Sequence, residues 1–99
     1  MIYCFDIDGT ICETIDGDYE NASPFPDVIK KIQALRGEGN SILFMTARGA
    51  RSGKDWSSFT AQQLHEWGLD YDRLIMNSKP HADVFIDDKA LNISDWMAE

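Results

Sequence analysis

The stretch Phe5-Asp6-Ile7-Asp8-Gly9-Thr10 follows the apolar run Ile2-Tyr3-Cys4-Phe5 and decides how the rest of the chain is organised. Side chains two positions apart on a strand point to the same face, so we expect Asp6 and Asp8 to be presented together at the carboxyl end of this first strand. Gly9 then allows the backbone to turn sharply. Two carboxylates this close repel each other, so their charge has to be offset by a shared proton, a hard cation or a nearby Lys or Arg.

Length and charge limit what the chain can do. The 99 residues, 43% of them apolar, predict a single domain with one core over residues 1–99. A net charge of −8 opposes binding to nucleic acid polymers or anionic membranes, which require a basic surface. The longest apolar stretch, Ile42 to Met45, is far shorter than a membrane span. Cys4 and Cys12 have no Cys-x-x-Cys spacing and are expected to be buried free thiols. Together these features predict a soluble, cytoplasmic protein.

The order of apolar patterns along the chain is strand, helix, strand. Residues 11–23, rich in acidic and turn-forming types, are expected to form a loop or a short hairpin flap. Pro26 and Asp27 favour the start of a helix, and the following strand, Ser41 to Thr46, is continuously apolar as in a parallel sheet covered on both faces. The other predicted elements are a helix with the apolar stripe Ala61, Leu64 and Trp67, strands over 73–77 and 83–86, and a short helix around Trp96.

Three predicted strands end in polar groups, namely Asp6 with Asp8, Thr46, and Asp87 with Asp88. Ligands of open α/β sheets bind beyond the carboxyl ends of the strands, so we expect these groups to converge on one cleft, with Lys79 above it. Carboxylate oxygens can hold Mg²⁺, which readily binds phosphate oxygens, and a Lys and a Thr hydroxyl can hold further oxygens. One Asp can then attack phosphorus while another transfers protons. This set predicts chemistry on a phosphate ester.

Four segments, in chain order, resemble the four motifs of the haloacid dehalogenase-like (HAD) phosphohydrolases. They are Asp6-Ile7-Asp8-Gly9-Thr10, Met45-Thr46-Ala47-Arg48, Lys79-Pro80 and Phe85-Ile86-Asp87-Asp88, and they span about 80 of the 99 residues. The resemblance implies a Rossmann-like, three-layer α/β/α sandwich with a mainly parallel central sheet and no cap domain. The chain is expected to depart from larger family members in that the fifth core strand is missing or reduced.

The resemblance further implies roles for single residues in a magnesium-dependent phosphomonoesterase. Asp6 would be the nucleophile that forms an aspartyl phosphate. Asp8 would be the general acid and base, and its main-chain carbonyl would also reach Mg²⁺. Thr46 would bind the transferring phosphoryl group, and Lys79 would stabilise the charge of that group and the nucleophile. The residues implied to hold Mg²⁺ are Asp6, Asp8 and Asp88, with Asp87 orienting Lys79 or a metal-bound water; which of Asp87 and Asp88 is the direct ligand is left open. The Asp at position 8 points to a phosphatase and away from the dehalogenases of the family.

The substrate is expected to be a small phosphorylated metabolite or sugar. The candidate substrate-binding residues are Tyr19, Ala47, Arg48, Arg51, Lys54 and Trp56. The loops resemble those of short family members associated with bacterial capsule and surface-polysaccharide synthesis. The acidic flap residues favour a substrate that carries an amine, although as solvated charges they need no such role. A cleft without a cap is open to bulky substrates or closed by a second subunit, so a homo-oligomer is compatible with the sequence.

Other functions are compatible with parts of this pattern. A receiver-like module that accepts phosphate without turning it over shares an acidic pair, a Thr and a Lys, but its phosphorylated Asp comes on a later strand. A nucleotidase is a second alternative. A phosphomutase usually needs a cap to exclude water. The loop 49–54 suggests a phosphate-binding P-loop, but Asp55 stands where a Ser or Thr should hold magnesium.

Overall fold

The computed structural model describes residues 1–77, 82–87 and 91–98. Its strands are β1 (Ile2–Asp6), β2 (Cys12–Glu13), β3 (Ser23–Pro24), β4 (Ser41–Thr46), β5 (Arg73–Met76), β6 (Val84–Asp87) and β7 (Leu91–Asn92). Its helices are α1 (Pro26–Gly37), α2 (Ser57–Glu66) and α3 (Ile93–Met97), with a 3₁₀ turn at Tyr19–Asn21. The predicted elements are present in the predicted order.

The main sheet has the strand order β5-β4-β1-β6-β7, and each neighbouring pair is parallel. In the register of the sheet, Asp6 lies opposite Met45 of β4, and Phe5 opposite Ile86 of β6. The carboxyl ends of β1, β4 and β6 therefore meet at one edge of the sheet. The predicted α/β class with a mainly parallel sheet is confirmed. The fifth strand, predicted to be missing or reduced, is the two-residue strand β7.

The two faces of the sheet are covered differently. The larger core cluster combines one sheet face with all three described helices; its members include Phe5, Phe44, Ile32 of α1, Leu64 of α2 and Trp96 of α3. The opposite face carries a smaller cluster made of Cys4, Leu43 and Ile75, with partly buried neighbours that include Met45 and Phe85. Within the described residues no helix belongs to this second cluster. The described helices therefore contribute to the core on the face that carries the larger cluster.

The connection from β1 to α1 contains the predicted hairpin, here called the flap (residues 12–24). Its strands β2 and β3 pair antiparallel, with Cys12 opposite Pro24 and Glu13 opposite Ser23. Pro26 occupies the first turn of α1, where its missing N–H needs no partner, and Asp27 lies at the positive end of the helix dipole. The flap therefore leaves and rejoins the core next to the carboxyl end of β1.

Element ends follow local backbone chemistry. The strand predicted over 73–77 ends at Met76 because Asn77 adopts a left-handed conformation, with φ of 62°.

Cys4 and Cys12 are both fully buried free thiols, as predicted. None of the described helices has the length and apolar character needed to span a bilayer.

Candidate active site

The first two motifs line one cavity at the carboxyl edge of the sheet. Its volume is about 310 Å³, and its lining residues are Asp6, Asp8, Thr14, Gly17, Tyr19, Thr46, Ala47 and Arg48. Asp6 ends β1, Thr46 ends the neighbouring strand β4, and Asp8 follows β1 after one residue. Gly9, with φ of 83°, adopts a conformation that L side chains rarely take, and its N–H donates to the Cys12 carbonyl over 2.9 Å. This turn sends the chain into the flap directly above the cavity.

Asp8 forms a two-point ion pair with Arg48. Nε of Arg48 donates to Asp8 Oδ2 over 3.0 Å, and a terminal guanidinium nitrogen donates to Oδ1 over 2.8 Å. The Arg48 side chain is completely buried, whereas that of Asp8 retains 27% of its exposure. Thr14 of the flap donates a further hydrogen bond to Asp8 Oδ1 over 2.5 Å. Asp8 is thus fixed by the β4 loop from one side and by the flap from the other.

These contacts set the protonation state of Asp8. Burial raises its pKa, but the hydrogen bonds from Arg48 and Thr14 and the positive charge of Arg48 together hold the pKa below its ordinary value. Asp8 is therefore a carboxylate at neutral pH before any substrate binds. In this state it can accept a proton.

The buried guanidinium of Arg48 depends on two polar residues of α2. Its second terminal nitrogen donates to Thr60 Oγ1 over 3.2 Å and to Gln63 Oε1 over 2.8 Å. Gln63 in turn donates to the main-chain carbonyl of Tyr19 in the flap over 2.8 Å. Thr60 and Gln63 are both buried, three positions apart on one helix face. A continuous hydrogen-bonded chain therefore links Asp8, Arg48, α2 and the flap.

Thr14, Thr60 and Gln63 were not identified by the sequence analysis. The predicted apolar stripe of α2 included Leu64, which is buried, and Ala61 and Trp67, which are only partly buried. Polar residues on the buried side of a helix indicate a buried polar partner, because their hydrogen bonds must be satisfied there. The spacing of Thr60 and Gln63 next to Leu64 was the available signal. Thr14 is a single hydroxyl in a loop, and no sequence pattern distinguishes it.

Thr46 is oriented for a donor role. Its hydroxyl oxygen accepts a hydrogen bond from the Arg48 main-chain N–H over 3.1 Å, and its side chain is buried at the end of β4. A hydroxyl that accepts from the main chain can still donate its own proton. Thr46 is therefore placed to donate toward an anionic group in the cavity that it lines.

The remaining residues implied by the third and fourth motifs are only partly described. The backbone of Asp87 ends β6, next to β1 in the sheet. Lys79 and Asp88 lie outside the described residues. The catalytic role of Lys79 and the choice between Asp87 and Asp88 as metal ligand therefore remain predictions.

The donor chemistry of the cavity suits a hard cation. Asp6 supplies carboxylate oxygens, the ligands that Mg²⁺ prefers, and the main-chain carbonyl of Asp8 is the second expected ligand; Mg²⁺ commonly uses one or two carboxylates together with water and phosphate oxygens. Among the residues whose placement is described, no group of three or more His, Cys, Asp or Glu side chains could hold a metal. Two of the three implied ligands therefore share one cavity, and Asp88 is needed to complete the set.

The candidate substrate-binding residues separate into two groups. Arg48 is 1% exposed and bonded to Asp8, Thr60 and Gln63 as described above. Arg51 and Trp56 line a second, larger cavity, and Tyr19 and Ala47 line both cavities. The ammonium of Lys54 lies 4.3 Å from the centre of the Trp56 ring. Arg48 thus holds Asp8 through hydrogen bonds, whereas Arg51, Lys54 and Trp56 lie at or near the second cavity.

Comparison with known proteins gives similarity of structure only. No protein-family model matches the chain, and no curated protein matches it significantly. A crystal structure of a structural-genomics target from Vibrio cholerae is similar with a TM-score of 0.79 and 25% identity, over 100% of this chain and 89% of that one. The crystal structure of D,D-heptose 1,7-bisphosphate phosphatase from B. bronchiseptica, complexed with magnesium and phosphate, is similar with a TM-score of 0.58 and 20% identity. The match covers 83% of this chain and about half, 51%, of that phosphatase. The chain thus has an α/β fold similar to that of D,D-heptose 1,7-bisphosphate phosphatase.

Proposed function

We propose that this protein is a magnesium-dependent phosphomonoesterase that acts through an aspartyl phosphate on Asp6. The observation that carries the proposal is that Asp6, Asp8 and Thr46, which come from two neighbouring parallel strand ends, line a single cavity. The fold likeness to a phosphatase that binds magnesium and phosphate supports the same conclusion.

The proposed reaction has two steps. First, a carboxylate oxygen of Asp6 attacks phosphorus while the bond from phosphorus to the ester oxygen breaks, and Asp8 gives a proton to the departing oxygen. Second, water attacks the aspartyl phosphate and loses a proton to Asp8, which releases phosphate and restores the Asp6 carboxylate. The hydroxyl of Thr46 holds a phosphoryl oxygen throughout. Asp6, Asp88 and the main-chain carbonyl of Asp8 would hold Mg²⁺, which would neutralise charge on the phosphoryl oxygens.

The ionised state of Asp8 constrains the first step. A carboxylate paired with Arg48 cannot donate a proton, so Asp8 has to acquire one when substrate arrives. Leaving groups that need no proton should therefore depend less on Asp8.

The roles of Asp6 and Asp8 are tested with two esters that differ in their leaving groups. Hydrolysis of p-nitrophenyl phosphate and of glycerol 3-phosphate is measured with magnesium and with EDTA, in the wild type, Asp6→Asn and Asp8→Asn. We expect Asp6→Asn to abolish turnover of both esters. We expect Asp8→Asn to slow glycerol 3-phosphate hydrolysis about 10²–10⁴-fold, the usual contribution of a general acid, and p-nitrophenyl phosphate hydrolysis much less. The exposed Asp70, in the loop before β5, provides Asp70→Asn as a matched control.

Two results would contradict the proposal. Turnover unchanged in Asp6→Asn would remove this residue as the nucleophile. Stable labelling of the wild type by acetyl phosphate, without sustained release of phosphate, would identify a receiver-like module. A nucleotidase would be recognised by a strong preference for nucleoside monophosphates over sugar phosphates in the same assay.

A further inference from the structure

A second cavity opens directly beside the acidic one. Its volume is about 480 Å³, within the range of typical small-molecule sites. The two cavities share Gly17, Tyr19 and Ala47 as wall residues. A phosphate ester bound over Asp6 therefore has room for its leaving group in the second cavity.

The second cavity has a rigid aromatic wall. The rings of Tyr19 and Trp56 meet edge to face with centroids 4.9 Å apart, and Trp56 meets Phe59 in the same way at 5.3 Å. The guanidinium carbon of Arg48 lies 4.6 Å from the centre of the Tyr19 ring, which fixes this residue from the core side. Neighbours on several sides thus hold the wall in place before a ligand binds.

The loop that carries Trp56 is closely packed. Gly49 has φ of 86°, and a Cβ atom there would lie 2.1 Å from the Lys54 carbonyl oxygen and 3.2 Å from Trp56 Cδ1. The Gly53 N–H donates to the Gly49 carbonyl over 2.9 Å. The close contact at Gly49 sets where Lys54 and Trp56 lie relative to the cavity.

The charge at this cavity is opposite to that of the whole protein. The chain has 17 acidic residues against 9 basic ones. The ion pairs among the described side chains are Arg36 with Asp72 and Arg48 with Asp8, so neither Arg51 nor Lys54 belongs to one. Arg51 lines the cavity, and Lys54 lies over the Trp56 ring. A planar guanidinium in this position is suited to bind a carboxylate or phosphate with two parallel hydrogen bonds.

The acidic flap residues do not compete for the same space. Glu13 and Asp18 line a separate cavity of about 290 Å³, and the Asp18 carboxylate accepts a hydrogen bond from Asn21 over 2.8 Å. No carboxylate is among the described residues that line the second cavity. The acidic composition of the flap favoured a substrate that carries an amine. Among the described residues that line the second cavity, such an amine would find no carboxylate partner.

From these contacts we infer that the second cavity binds a second anionic group, a carboxylate or a phosphate, carried on the leaving group of the substrate. Arg51 binds this group, and Tyr19 and Trp56 pack against the body of the leaving group. The inference deepens the proposed function and relies on it for the position of the first phosphate. It narrows the substrate class from small phosphomonoesters in general to those with a second negative charge.

The test measures binding, so that it does not depend on turnover. Affinities are determined by calorimetry with magnesium for the Asp6→Asn variant. One ligand pair, 3-phosphoglycerate and glycerol 3-phosphate, differs in a carboxylate; the other, glucose 1,6-bisphosphate and glucose 6-phosphate, differs in a phosphate. We expect the doubly anionic member of at least one pair to bind about 10-fold more tightly. The pair that shows the preference identifies the anion.

Two further variants locate the effect. Adding Arg51→Gln should reduce the preference to about 2-fold or less, whereas Arg73→Gln, which removes the same charge from the exposed start of β5, should preserve it. Equal affinities within both pairs, or the same loss in both Arg variants, would overturn the inference. The proposed function is judged separately by turnover of p-nitrophenyl phosphate in the wild type. Tighter binding of the doubly anionic ligand without turnover of p-nitrophenyl phosphate would support the anion site and contradict the proposed phosphatase activity.

Discussion

Replacing Arg48 with Met should destabilise the protein strongly, because it removes one partner of a largely buried ion pair. The substitution removes two charge-assisted hydrogen bonds to Asp8 and the bonds to Thr60 and Gln63. Loss of one partner of a buried pair costs about 3–5 kcal/mol. Asp8 retains 27% of its side-chain exposure and can regain water, so we expect the lower end, about 3 kcal/mol. A domain of this size has a stability of about 5–15 kcal/mol, so the variant should still fold.

The assay is urea unfolding followed by tryptophan fluorescence at neutral pH. With a urea dependence of about 1–3 kcal/mol per molar, a loss of 3 kcal/mol lowers the midpoint by about 1–3 M. The control is Arg36→Met, because the Arg36–Asp72 pair is exposed, with side-chain exposures of 36% and 41%, and exposed pairs contribute little. Its midpoint should change much less.

A double-mutant cycle separates the ion pair from other effects of the substitution. In the Asp8→Asn background, Arg48→Met should cost less than in the wild type, with a coupling of about 0.5–3 kcal/mol. Additive effects of the two substitutions would refute the reasoning, as would an Arg48→Met midpoint equal to that of Arg36→Met. In either case the two-point contact would not be what holds Asp8 in place.

Three further predictions concern other parts of the chain. Gly49→Ala should lower the urea midpoint more than Gly53→Ala, because both positions have positive φ but a Cβ meets other atoms within 4 Å only at Gly49; equal midpoints would contradict the contact. Cys4 and Cys12 are fully buried, and burial raises the pKa of Cys12 to about 11, so a thiol reagent at pH 8 should label neither residue in the native protein and both in urea. The pKa of Asp72 is held below its ordinary value of 3.8 by hydrogen bonds from the Ile42 N–H and from Arg36, so stability is lost as the pH falls below that value. Asp72→Asn should therefore show a smaller drop in urea midpoint between pH 6 and pH 3 than the wild type.

The fold was largely predictable because its signals are local. The uninterrupted apolar run of β4 predicted a strand with the observed ends, Ser41 and Thr46. Pro26 and Gly37 marked the first and last residues of α1. The face of the sheet on which each helix packs was not predicted. It depends on which way each connection crosses the sheet, and the same apolar strand is compatible with either arrangement.

The acidic residues of the candidate site were predicted from the sequence, but the hydrogen bonds around them were not. Asp6, Asp8 and Thr46 stand at strand ends, and the topology of a parallel sheet brings such ends together. Arg48 was predicted to bind substrate, and that role stays a prediction. In the structure its side chain is buried and donates hydrogen bonds to Asp8, Thr60 and Gln63. Sequence spacing places a cation near the strand end, but it does not reveal the hydrogen-bond partners of that cation.

The contacts of Asp8 connect recognition of the leaving group to the chemistry. Thr14 of the flap bonds Asp8 directly, and Gln63 joins Arg48 to the carbonyl of Tyr19. The Tyr19 ring is at the same time a wall of both cavities. A leaving group that packs against this ring therefore contacts a residue that also contacts Arg48, the partner of Asp8. Binding energy from the second cavity can act on the placement of the proposed general acid, so changes to Tyr19 should alter kcat as well as KM.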